Sequence, residues 1–217
     1  MISPVPTKTQ LFSKETKETQ PPSWKKNTCL VAADASTFWA IILKNWTQIY
    51  PKTPINIKEL LKKTYLTPSI TSPMLAQSII TYPLSNTLEH YIGQNPAAII
   101  SGTLSGFAET QVSQLIAKTT TRVRIPAVSC MVLRDTLYTK GFLASKNEQI
   151  SVQIITPSVI ATSTLPLDII ARNFAIGQQP LDAFISKAKS SLGPRVMGVN
   201  LSLGAVLCVN HFWNLNN

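Results

Sequence analysis

Apolar residues in this chain collect into six long runs, at about 28–49, 71–91, 96–121, 126–145, 150–173 and 194–214, divided by clusters of Pro, Lys, Asn and Gln. Runs of this length predict helices, and roughly 20 apolar residues span a hydrocarbon core of about 30 Å. Two shorter stretches have a different pattern. In Ile57–Tyr65 the apolar positions Ile57, Leu60 and Leu61 share one side of a helix and lysines occupy the other. Leu181–Lys189 repeats the pattern, and each stretch is followed by a break, Thr67-Pro68 and Gly193-Pro194. Such helices lie along a membrane surface. Long helix, surface helix, long helix thus occurs at both ends of the chain, which reads as an internal repeat.

The third run carries the sharpest local signal. Ser101, Gly102, Ser105 and Gly106 recur at spacings of three and four, so small residues line one helix face and let a second backbone approach closely. Between Ala97 and Ala117 the one charge is Glu109, and an ionisable group inside an apolar span marks a functional position. Asp34, Asp135 and Asp168 fall inside other runs, as do Pro83, Pro157 and Pro166. These are tolerated in lipid when neighbouring helices or a wet cavity satisfy the groups they free.

Composition narrows the class. The 217 residues are 44% hydrophobic and 14% charged with a mean hydropathy of +0.12, apolar for a soluble domain yet not uniformly so, as expected of spans that face lipid on one side and a polar interior on the other. The net charge of +10 comes from lysines in the first 26 residues and in short segments between runs. No basic helix is interleaved with stacking aromatics, so nucleic acid is not the expected partner; basic loops flanking membrane spans are. Cys29, Cys130 and Cys208 are far apart, and His90 and His211 stand alone, so neither a disulfide framework nor a metal site is expected. No Gly-x-Ser-x-Gly, P-loop, His-Glu-x-x-His or Cys-His pairing occurs, and the chain does not read as an enzyme. Residues 1–26 mix Thr, Lys, Glu, Gln and Pro and read as a disordered tail before a 27–217 membrane domain.

Four pieces of residues 28–214 resemble the mitochondrial carrier family. Ser101–Gly106, followed by Thr121-Arg122-Val123, is similar to the family's small-residue motif and its Thr-Arg-x sequel. Thr164-Leu165-Pro166-Leu167-Asp168 resembles the Pro-x-acid kink of an odd-numbered helix; Gly193-Pro194-Arg195-Val196 resembles the entry into the last helix, and Leu133-Arg134-Asp135 the Arg-acid pair of the fourth. Departures are visible: Arg172 comes one residue late, Leu115 and Ala117 replace the proline and acid of the second repeat, and the first repeat has no Pro-x-acid signature.

The resemblance implies an all-α bundle of six membrane helices built as three helix pairs, about 27–92, 96–146 and 150–214. It implies a monomer in the mitochondrial inner membrane that moves or binds a small anionic or zwitterionic solute without a cofactor, with a cardiolipin-like anionic lipid at the surface helices. Arg134 and Asp135 would read a carboxylate and an ammonium group, with Asn200 and Ser72 at the corresponding level of the sixth and second helices and Glu109 in a transport or proton-linked role. Pro166, Asp168 and Arg172 would be gate residues, and Gly102, Gly106 and Arg122 structural ones. Two alternatives stand beside this reading: a degenerate carrier fold serving as a membrane adaptor, such as a pathogen protein delivered to host mitochondria, and a soluble helical protein whose apolar runs form its core.

Overall fold

The computed structural model describes residues 23–50, 52–54, 56–117 and 125–216, and within them every regular element is helical. In chain order these are α1 (Trp24–Ala35), α2 (Phe38–Ile49), α3 (Ile57–Tyr65), α4 (Pro68–Ile79), α5 (Ser85–Ile92), α6 (Gln94–Ala117), α7 (Ile125–Ser145), α8 (Ile150–Ser163), α9 (Leu165–Ile176) and α10 (Phe184–Asn216). A single wide π turn, Ile80–Leu84, joins α4 to α5. It contains Pro83, whose missing N–H the wider turn accommodates.

The six apolar runs become six rods: α1 with α2, α4 with α5, α6, α7, α8 with α9, and α10. Each rod packs on its neighbour in sequence, and α10 returns to pack on α1 and α2, so the rods close into a ring. In the lower half α2, α6 and α9 also meet one another across the ring. Two apolar clusters fill the bundle. One is built from Leu30, Tyr82, Phe142, Leu203 and Leu207, the other from Phe38, Ile42, Leu60, Met74 and Val112.

Three boundaries differ from the sequence expectation. The first run is not one helix, because Ser36 and Thr37 turn their hydroxyls back onto the carbonyls of Ala33 and Asp34, both at 2.7 Å, and compete with the helix ladder. The fifth, by contrast, bends where the Thr164–Asp168 resemblance places a kink: the Thr164 hydroxyl bonds the Ile160 carbonyl at 2.6 Å. Pro166 then sits in the first turn of α9, where its ring is compatible with a new helix, and α8 and α9 meet at a bend of 46°. The predicted break at Gly193-Pro194 does not occur. The second surface helix does not form either: residues 180–183 make a turn and α10 runs unbroken from Phe184 through Pro194. Pro194 removes one backbone donor, while α10 is held on one side by Lys187, bound to Gln178 at 2.6 Å and to Asn173, and on the other by Arg195, bound to the Ala161 carbonyl at 2.7 Å.

The surface helix α3 forms as expected, started by Asn56, whose side chain accepts from the Lys58 N–H at 2.8 Å. It docks below the α1–α2 break, where the Tyr65 hydroxyl donates to the Ser36 carbonyl at 2.9 Å. Burial raises the Tyr65 phenol above its ordinary pKa, so it stays a donor. The ammonium of Lys63 rests 4.7 Å from the centroid of the Trp46 ring.

The outer faces of the rods are apolar. Ile100, Leu104 and Phe107 on α6, Leu133 on α7, and Ile154, Ile155 and Val159 on α8 are exposed. Charges point the other way, since Glu109, Arg134, Asp168 and Arg172 are all at most 5% exposed. Among the described residues α10 alone is long and apolar enough to cross a membrane, and α8 with α9 qualifies as a bent pair.

Candidate functional site

The first, third and fifth rods each send two polar side chains inward from positions four apart: Lys44 and Gln48 on α2, Glu109 and Ser113 on α6, Asp168 and Arg172 on α9. That spacing puts both members of a pair on one helix face. Because α2, α6 and α9 converge, the three faces meet, and Arg172 ties them together. Its guanidinium donates to Glu109 at 2.7 Å, to Ser113 Oγ at 2.6 Å, to Gln48 Oε1, and to Asp168 one turn back at 3.3 Å. Lys44 reaches the same Glu109 oxygen more loosely, at 3.6 Å.

Two arginines from the remaining rods complete the cluster. Arg134 on α7 holds Asp135 through Nε at 2.6 Å and bridges to Asp168. Arg195 on α10 grips the other Asp168 oxygen and donates through Nη2 to Thr164 Oγ1 at 2.6 Å. Ser105 on α6 donates to the free Asp135 oxygen at 2.8 Å. Desolvating this many charges is costly, and the interlocking hydrogen bonds of the three arginines with Glu109, Asp135 and Asp168 offset part of it.

Above the cluster lies a partly open cavity of about 60 Å³ lined in part by Asp34, Lys44, Glu109, Arg134, Arg195 and Tyr82. Asp34 on α1 accepts from Ser78 on α4 and Ser202 on α10. Tyr82 and Tyr138 roof it, their hydroxyls 3.1 Å apart and 3.4 and 3.3 Å from Ser202 Oγ. Farther along, Lys146 at the end of α7 bonds Asn86 at 2.6 Å and pairs with Glu89 on α5, and Asn210 of α10 donates to the Lys146 carbonyl at 2.6 Å. The cavity therefore lies between two polar closures at opposite ends of the ring.

Of the residues singled out by sequence, Glu109, Arg134, Asp135, Asp168 and Arg172 are brought together here. Arg134 and Asp135 both line the cavity, and each is already bonded to the other and to neighbouring side chains. Asn200 is elsewhere: it bonds Ser158 on α8 at 2.9 Å and its own helix carbonyl at Val196. Ser72 is exposed on α4, away from the cavity. Gly102 and Gly106 lie against α7, where a Cβ on Gly106 would come within 2.6 Å of the Val132 nitrogen. Arg122 lies outside the described residues.

Sequence reasoning missed Lys44, Gln48, Ser113 and the ion-pairing role of Arg195. The available signal is the inward pair four apart on each odd rod, which differs from the Pro-x-acid spacing. Among the described residues no group of three or more His, Cys, Asp and Glu could hold a metal ion. No family model matches this chain, and no curated protein or solved structure matches it either.

Proposed function

We propose that this chain is a membrane-embedded, carrier-like protein that moves or binds a small anionic or zwitterionic solute at the centre of its ring of helices, with the mitochondrial inner membrane as its site. One observation carries the reading: a small cavity lined by charges of both signs sits inside a ring whose outer surface is apolar, with a breakable polar closure at each end. Charges inside and hydrocarbon outside is the arrangement lipid imposes, because an exposed apolar surface of this extent is costly in water and a lipid-facing charge is costly in a bilayer. Closures made of ion pairs and hydrogen bonds can be exchanged for solute contacts, as alternating access requires.

A second reading has its own support. The four carboxylates and four cations named at the ring centre balance and bind largely one another, as they would in a carrier fold retained as a static membrane adaptor.

Reconstitution separates the two. Carbonate-resistant protein in cardiolipin-containing liposomes should take up labelled amino acids or monocarboxylates above empty vesicles, and Arg172→Met should abolish the difference. Uptake equal to that of empty vesicles across both solute classes favours the adaptor, and extraction by carbonate rules out both.

A further inference from the structure

Within that reading, the charges around the cavity narrow the solute class. Three guanidinium groups have close carboxylate partners: Arg134 with Asp135, Arg172 with Glu109, and Arg195 with Asp168. Setting these pairs aside leaves one acid and one base. Asp34 has no ion-pair partner among the described residues; its two oxygens are held by the serine hydroxyls of α4 and α10, which leaves acceptor capacity on both. Lys44 has the loosest contact in the cluster, 3.6 Å to a Glu109 oxygen already bonded by Arg172. Asp34 and Lys44 line the same cavity, and both are at most 6% exposed.

We infer that the cavity recognises a small zwitterion, with Asp34 receiving its ammonium group and Lys44 its carboxylate. A buried carboxylate and a buried ammonium without close partners each retain a desolvation cost, and a solute carrying the complementary charge at each end relieves both costs together. A simple anion would leave Asp34 unpaired; a simple amine would leave Lys44 loosely held. The other Glu109 oxygen, buried and without a hydrogen-bond partner, faces the same need for a donor, which a second ammonium hydrogen or a co-bound water supplies.

Size sets a second limit. A cavity of about 60 Å³ holds about four or five water-sized spheres, which suits glycine, alanine or β-alanine. The hydroxyls of Tyr82 and Tyr138 bound the Asp34 end and bar bulk there.

The experiment uses the full chain in detergent micelles and reads thermal stabilisation and radioligand binding. Alanine, β-alanine and glycine are compared at equal concentration with ethylamine and propionate, the two charged halves of such a solute. At least one of the three zwitterions should bind at least 10-fold tighter than either half, with Asp34→Asn and Lys44→Met each removing that preference and Asp34→Asn leaving residual propionate binding. The comparison on the unaltered protein stands even if a variant fails to fold. Propionate binding as tightly as the zwitterions overturns the zwitterion assignment while leaving the solute-carrier reading in place. No binding by any of the five compounds overturns the assignment, and if liposome uptake of amino acids and monocarboxylates is also absent, the solute reading falls with it.

Discussion

Arg172 on α9 and Glu109 on α6, 63 positions apart in sequence, meet at 2.7 Å with less than 2% of either side chain exposed. Removing one partner takes the closest counter-charge from the other, leaving Glu109 only Lys44 at 3.6 Å and Arg134 at 3.5 Å, or Arg172 only Asp168 at 3.3 Å, a loss of up to about 3–5 kcal/mol. Arg172→Met should therefore lower thermal stability in detergent sharply, as should Glu109→Leu. Arg172→Met/Glu109→Leu together should cost clearly less than the sum of the two single changes, because no unpaired charge remains from the pair. Additive losses in a double-mutant cycle would mean that the contact carries no coupling.

The approach of α6 to α7 gives a second expectation. A Cβ on Gly102 or Gly106 collides with α7 backbone, whereas Gly204 on α10 has open space around it. Gly106→Val should destabilise by about 1–3 kcal/mol or more by forcing the helices apart. Gly204→Ala should be neutral or slightly stabilising, since alanine is the better helix former. Melting temperatures of the two variants side by side would test the contact.

Lipid exposure is tested by charge on the outer face. Ile155 and Leu104 are exposed on α8 and α6. In water, substitution at such a surface position changes stability by about 0.5 kcal/mol or less, but in the middle of a bilayer each added Asp or Lys costs about 3 kcal/mol. Ile155→Asp and Leu104→Lys should accordingly lose membrane insertion or fold in protease-protection assays while leaving the ion cluster untouched. Normal folding and full recovery in the soluble fraction would show that these faces meet water.

The closure at the far end rests on Lys146, which holds Glu89, Asn86 and the ring of Phe142, its nitrogen 5.9 Å from the ring centroid. This pair is partly exposed, so its loss should cost little stability, about 1 kcal/mol or less. Its effect should fall on access: with Lys146→Met, a cysteine placed at Ser202 should react with a water-soluble thiol reagent several-fold faster than in the unaltered background, with the exposed Cys29 and Cys208 first replaced by serine.

Local chemistry was readable along the chain. Apolar runs marked the six rods, the pattern of Ile57–Tyr65 marked the surface helix, and the Ser101–Gly106 spacing marked a face for close packing, because each of these depends on residues within a few turns of one another. The bend at Thr164–Pro166 is legible in the proline, but the break at Ser36-Thr37 is not, since a hydroxyl that turns back on its own helix looks, in sequence, the same as one that points to solvent. The continuity of α10 through Pro194 is illegible for the converse reason. A proline reads as a stop until distant partners hold the helix on both sides of it, here Asn173 and Gln178 for Lys187 and Ala161 for Arg195.

The site belongs to the tertiary structure. Glu109, Arg134, Asp168 and Arg172 were visible as charges in apolar runs, but nothing local says which charge meets which. That Arg134 and Asp135 have close ion-pair partners, while Asp34 and Lys44, lining the same cavity, do not, follows only when the six rods close into a ring. Helical periodicity determines which way a side chain points relative to its own axis; partners 30 to 170 positions away are chosen by how the axes pack, and in this chain that packing decides where the charge lies.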